Sequence, residues 1–435
     1  MEQIEQIQIP FLMGIPFVLM LACLALMPLF VLNFWESNKN KLIISLVLGV
    51  PTTIWMLVNG FSEDVIHMMF FDYVPFIILL AGLFIITGGI FIDADIQATP
   101  KNNTLVLLTG TVLASFIGTT GAAMLLIRLL LQMNQRRQFK VHTFLFFIAC
   151  VANCGGLLTP LGDPPLFMMY LRGADFFWFF TLVKPWLFVN GILLTIYFIY
   201  DNHHWKRETQ ELRECKTSKP SIMKLRGKIN FLWLAVVICA VAFLNPNMMP
   251  FMKENALYCF IRDVVIIFAA IMSLVTTKKE CRKANHFEWY PILEVAYIFI
   301  GIFLTMAPVL RLIQENAYRI NISTPTEFYF ITGTLSLWLD NTPTAITFYS
   351  LAEVLFAGST DTNIVAGIPA MIMKAICLGA VLFGSMTYIA NGPNFMVKSI
   401  AEHEGIKMPQ FFQYMFRFSL IIILPVLIVY GLLFF

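Results

Sequence analysis

The residues able to do chemistry crowd into one run of 13, Asn153-Cys154-Gly155-Gly156-Leu157-Leu158-Thr159-Pro160-Leu161-Gly162-Asp163-Pro164-Pro165. Its three Gly (Gly155, Gly156, Gly162) and three Pro (Pro160, Pro164, Pro165) must unwind a helix. Proline removes an amide donor and clashes with the preceding turn, and glycine permits close approach and positive φ. The carbonyls set free, with the oxygens of Asn153, Thr159 and Asp163, form a hard-oxygen set suited to a small cation. The plainer reading is a kinked helix whose Asp163 caps a turn beside a water pocket. Against it, a carboxylate at membrane depth costs about 2.5–3.5 kcal/mol on insertion scales and is retained for a task.

Three smaller groups raise the same question. Asp340, Asn341 and Thr342 precede Pro343, where Asp340 suits either an ion or an N-cap. Thr119 and Thr120 sit between Gly118 and Gly121, and Asn391-Gly392-Pro393-Asn394 repeats the mixture of amide oxygens and helix breakers. Asp163 and Asp340 are therefore the candidate ligands of a small cation. Glu294, Glu353 and Lys374 lie in apolar stretches and could relay protons or pair; Asp93 and Asp95 suit a solvated helix end. His142 could sense pH, although a lone interfacial histidine is usually structural. The eight Cys are scattered and read as core residues. HExxH, GxSxG and phosphate-loop patterns are absent from the sequence, so neither an enzyme nor ATP hydrolysis is expected. No cofactor is expected.

These groups are embedded in a very apolar chain. Of 435 residues 59% are hydrophobic and 13% charged, against about 25% charged in soluble domains. Residues 12–34 hold no charge, and residues 411–435 hold only Arg417. Such runs match the ~20 residues that span a bilayer as a helix. The expected fold is an all-α integral membrane protein with about ten crossing helices: 11–34, 42–59, 74–92, 141–171, 185–200, 230–245, 257–275, 291–310, 364–400 and 411–434. The fourth and ninth are broken by Pro and Gly. Stretches 104–133 and 327–356 break at 118–121 and 340–343, leaving arms of roughly 20 Å at 1.5 Å per residue. Both read as re-entrant hairpins, one inner and one outer. With the termini outside, 20 of the 29 Lys/Arg fall inside and six outside, which fits a multi-pass protein of the inner (cytoplasmic) membrane. Residues 1–9 lack the basic start of a cleavable signal, 201–229 reads as a polar cytoplasmic connecting loop, and a net charge of +3 is too small to imply nucleic acid.

The halves repeat in order. Gly82-Leu83-Phe84 matches Gly301-Ile302-Phe303, 118–123 matches 340–345, and 163–168 matches 391–396, at offsets of 219, 222 and 228. With one hairpin on each face the repeats have inverted topology, and paired broken segments point to a transporter's midplane site.

At these motifs the chain resembles the ion transporter superfamily, whose unwound segment reads A-N-x-G-G-x-x-T-P-x-G-x-P-P; Ala152 to Pro165 follow it. Tips 118–120 and 340–342 are similar to its Ser-Asn-Thr tips, with departures at the first residue and, in the first tip, the second. The whole chain is most similar to NhaD-type sodium/proton antiporters and to citrate transporters of the same superfamily. The resemblance implies inverted repeats at 74–200 and 291–435, scaffold helices at 1–73 and 230–290, and a homodimer. Anion members carry Ser- or Thr-Pro-Pro-Asn where this chain has Asp163-Pro164-Pro165-Leu166 and Asn391-Gly392-Pro393-Asn394. An added carboxylate repels a carboxylate substrate and suits Na⁺ in competition with H⁺. The expectation is Na⁺(Li⁺)/H⁺ exchange; the alternatives are Na⁺-coupled citrate or dicarboxylate transport and, further off, arsenite efflux. The partners are then the bilayer and a small inorganic cation or small anion.

Overall fold

The computed structural model describes residues 9–94, 96–210 and 224–435. It is an all-α integral membrane protein. Among the described residues seven helices are long and apolar enough to cross a membrane: Phe11–Pro28, Asn38–Val58, Ser62–Thr87, Phe176–Trp205, Ala256–Thr276, Tyr290–Arg319 and Phe411–Phe434. With the two broken helices and the 15-residue Ile229–Phe243 they occupy the ten segments expected. That last helix, about 22 Å long at 1.5 Å per residue, is short for a crossing.

The breaks fall where Pro and Gly cluster. The first broken helix runs as Val141–Ala149, a π-helical turn Cys150–Cys154, an irregular stretch, and Pro164–Leu171. The second is Ala370–Phe383, the 3₁₀ turn Gly384–Met386, an irregular stretch, and Gly392–His403. In both, the second half opens with proline in its first turn, where a missing amide is harmless. The first hairpin is Pro100–Ile117 and Thr119–Met133, and the second is Pro325–Ser336 and Asn341–Leu355. The second hairpin's entry is fixed by a capping box in which Thr324 and Glu327 satisfy each other's amides.

Several boundaries differ from the sequence reading. The hairpins start at Pro100 and Pro325 because Thr99 and Thr324 cap their first turns. Residues 364–369 form a two-stranded turn, Ile364–Val365 against Ile368–Pro369, so the second broken helix begins only at Ala370. The segment read as the polar loop 201–229 is not all loop. Helix Val183–Trp205 runs through its first five positions, and Lys224–Arg226 pairs as a strand with Phe91–Asp93. Residues 211–223 of that segment, and 1–8 of the N-terminus, lie outside the described residues.

Helix Asn38–Val58 packs along Tyr290–Asn316, and the two are tied by Lys41, buried, at 2.6 Å from Glu294. Glu294 is thus a partner for Lys41, and Glu353 is exposed.

Candidate functional site

Each hairpin tip is sewn to the broken helix of its own half. At the first tip Gly118 adopts φ +80°, a conformation that side chains rarely tolerate. Reversing the chain there lets the amide of Thr119 donate to the Gly162 carbonyl at 2.8 Å. Ser115 donates to the Gly155 carbonyl at 2.5 Å, and Thr159 donates to the Ser115 carbonyl while accepting from the Leu161 amide at 3.2 Å. Gly162 is also in close approach: a Cβ there would stand 2.2 Å from the Gly156 carbonyl oxygen.

The second half repeats the tip amide bond and the threonine bond at the same offsets, and Ser336 adds one of its own. The amide of Asn341 donates to the Ala390 carbonyl at 3.2 Å, and Ser336 donates to the Ala380 carbonyl at 2.6 Å. Thr387 donates to the Leu337 carbonyl at 2.7 Å and accepts from the Ala390 amide at 3.2 Å. Thr119 and Asn341, Gly162 and Ala390, and Thr159 and Thr387 are therefore counterparts. Their spacing matches the offsets read from the sequence, and Asp163 has Asn391 as its mate.

Asp163 is where the halves meet. Only 1% of it is exposed. Its Oδ1 accepts from Thr119 Oγ1 at 2.8 Å and Asn391 Nδ2 at 3.2 Å, and its Oδ2 accepts from Asn341 Nδ2 at 2.7 Å. One carboxylate thus joins both tips and the second break. All three donors are neutral, and among the described residues no ion pair includes Asp163. A buried carboxylate without a cationic partner takes up a proton or a metal cation.

The second tip holds further polar oxygens. Asn341 Oδ1 and Thr342 Oγ1 are buried and make no hydrogen bond. A buried acceptor left unpaired costs about 1–3 kcal/mol, and a hard cation is one way to satisfy it. Asp340, 8% exposed, spends Oδ1 on the Thr342 amide at 2.9 Å. It is an N-cap at this tip, and it makes no hydrogen bond with Asp163.

The other expected residues divide. Asn153 donates to the Ile148 carbonyl at 2.8 Å and Asn394 Oδ1 at 2.6 Å, and accepts from Asn391 at 3.1 Å. Asn394 in turn donates to the Gly384 and Thr387 carbonyls at 2.8 Å. This amide cluster staples the two breaks together one bond away from the carboxylate. Thr159 faces Ser115, and Thr120 is half-buried without touching Asp163. The carbonyls expected to be free are partly taken, because Trp186 and Asn190 donate to those of Gly155 and Cys154, both at 3.0 Å. Sequence reasoning missed Ser115, Thr387, Trp186 and Asn190. Asn190, an amide in an apolar helix, was the one signal among them.

A family model described as "Putative citrate transport" matches residues 6–435. The chain belongs to that family. No curated protein matches it. Membership of this family and the apolar helices together make the chain a multi-pass membrane transporter. The family match spans both hairpins, both breaks and Asp163.

Proposed function

We propose that the protein is a secondary transporter in which Na⁺ (or Li⁺) and H⁺ compete for Asp163, exchanging one for the other across the cytoplasmic membrane. The observation that carries this reading is the buried carboxylate held only by neutral donors from both halves. The unpaired oxygens of Asn341 and Thr342 would complete the shell of a hard cation. Because Thr119 and Asn341 sit on different hairpins, occupancy of Asp163 is felt at both tips. The proposal places the hairpins as re-entrant elements from opposite faces, both termini outside, and two copies per assembly.

The family description favours a second reading, uptake of citrate or a dicarboxylate together with a cation. In it the cation at Asp163 would offset the negative charge that otherwise repels a carboxylate substrate.

Everted vesicles loaded with a quenched pH dye separate the two. Na⁺/H⁺ exchange predicts dequenching on adding NaCl, abolished by Asp163→Asn. Na⁺-dependent uptake of labelled citrate into proteoliposomes, without dequenching, would replace the first reading by the second. Full exchange in the Asp163→Asn variant would remove Asp163 from either.

A further inference from the structure

Four cations that are wholly or partly buried, Lys41, Arg172, Arg262 and Lys398, each face a carboxylate, at 2.6, 2.7, 2.9 and 2.8 Å. Lys374 does not. It is half-buried in helix Ala370–Phe383. Among the described residues it makes neither an ion pair nor a hydrogen bond. The charge that bears on it is another ammonium, that of Lys184, which is exposed and equally without a partner.

The two lysines share one end of the bundle. Lys184 is the second residue of Val183–Trp205, whose 23 residues measure about 34 Å at 1.5 Å each, enough to cross a hydrocarbon core of about 30 Å. It therefore stands at the level of the headgroups. Before it runs the 3₁₀ helix Phe176–Leu182, with Phe177 and Phe180 exposed and stacked on each other at 6.4 Å. Aromatic side chains collect at the boundary between membrane and water. The segment leading to Lys374 meets the one leading to Lys184 here, because a Cβ on Gly173 would touch Ala366 at 3.9 Å. Lys374 follows Ala370 by about 6 Å of helix, and its long stem lets the ammonium climb to the same boundary.

Two like charges side by side in an apolar wall repel each other, and Lys374 has lost hydration without gaining an acid. One anion held between them removes both costs. The acids close by in sequence are committed elsewhere: Asp175 accepts the Phe177 amide at 2.7 Å, and Asp72 is paired with Arg172. We propose that Lys184 and Lys374 together bind the phosphate of an anionic phospholipid, with the rings of Phe177 and Phe180 against its acyl chains. The ligand is a phosphodiester whose headgroup carries no cation of its own, as in phosphatidylglycerol. The ammonium of a zwitterionic headgroup would bring a third positive charge to the pair. The site is independent of which ion is carried, since neither lysine is among the groups that hold Asp163.

Native mass spectrometry of the purified full chain, titrated with phosphatidylglycerol, reads the site without transport. Wild type should bind phosphatidylglycerol more tightly than phosphatidylcholine. Lys184→Gln or Lys374→Gln should weaken that binding about fivefold, and the double variant about thirtyfold. Lys253→Gln, which removes an exposed lysine elsewhere, should leave it unchanged, and Lys374→Arg, which keeps the charge, should retain it. Should Lys374→Gln fail to fold, the exposed Lys184→Gln carries the comparison. Equal affinity in wild type and Lys184→Gln overturns the site, as does equal affinity of wild type for the two lipids. Inorganic phosphate should not displace the lipid; displacement would make this a site for the free anion and overturn the lipid as its source.

Discussion

At the scale of single residues, three buried charges are handled in three ways. Lys41 is answered by one carboxylate, Glu294, and by the rings of Trp35 and Tyr290 at 5.7 Å each. Arg137 is answered by two carboxylates and by Trp205 at 5.3 Å. Asp163 is held by neutral groups from both halves, which is why it is the one expected to exchange its partner. The contrast is measurable. Removing one member of a buried pair costs about 3–5 kcal/mol, and replacing both by apolar residues costs far less. Glu294→Met should therefore lower the thermal unfolding midpoint sharply, and the Lys41→Met/Glu294→Met double variant should recover most of the loss. Asp163→Asn should instead leave the midpoint near wild type while removing its dependence on NaCl, because ligand stabilisation needs the carboxylate. A midpoint in Asp163→Asn that still climbs with NaCl would place the cation elsewhere.

At the scale of elements, the sites of breakage were legible and their hydrogen bonding was not. Runs of Gly and Pro announce where a helix ends, because their effect is local to the backbone. Thus 153–165, 118–121 and 391–394 were found from sequence. The partners that satisfy an unwound segment come from distant elements, and nothing in the spacing of Ser115, Trp186 or Asn190 names Gly155 or Cys154 as their targets. The same gap explains Thr159, whose hydroxyl was expected on the ion and is spent on the Ser115 carbonyl. Asp340 shows the converse, since its N-cap role was readable from Pro343 two positions past Asn341. If the close passage of Gly162 over Gly156 shapes the break, Gly162→Ala must push the two strands of the break apart. The amide bond from Thr119 to Gly162 would then open, and Thr119 would draw back from Asp163. We expect transport to be lost together with about 1–3 kcal/mol of stability. Gly392→Ala, where a Cβ would meet nothing within 4 Å, should keep both. Full activity in Gly162→Ala would mean that this approach is incidental.

At the scale of the whole molecule, the repeat explains why a single acid can serve both halves. The tip-to-break bonds occur twice, with Thr119 and Gly162 in one half and Asn341 and Ala390 in the other. The chemistry at the centre occurs once, because the mate of Asp163 is Asn391, whose amide donates to it at 3.2 Å. Two carboxylates at these mirrored positions would lie side by side in a buried site, where like charges raise the cost of ionising the second steeply. One acid and one amide avoid that repulsion and leave the carboxylate equally bound to both tips. The pseudo-symmetry then makes a demanding prediction about the swapped arrangement. In Asp163→Asn/Asn391→Asp the acid would sit on the second break, with Asn341 on its own half's tip and Thr119 on the other. The single variant Asp163→Asn should show no Na⁺-driven proton movement in everted vesicles. The swapped double variant should regain a measurable part of it, because the donors around the acid are replaced by their mates. A double variant that folds, as judged by its unfolding midpoint, yet stays as silent as Asp163→Asn would show that the two halves are alike in backbone only.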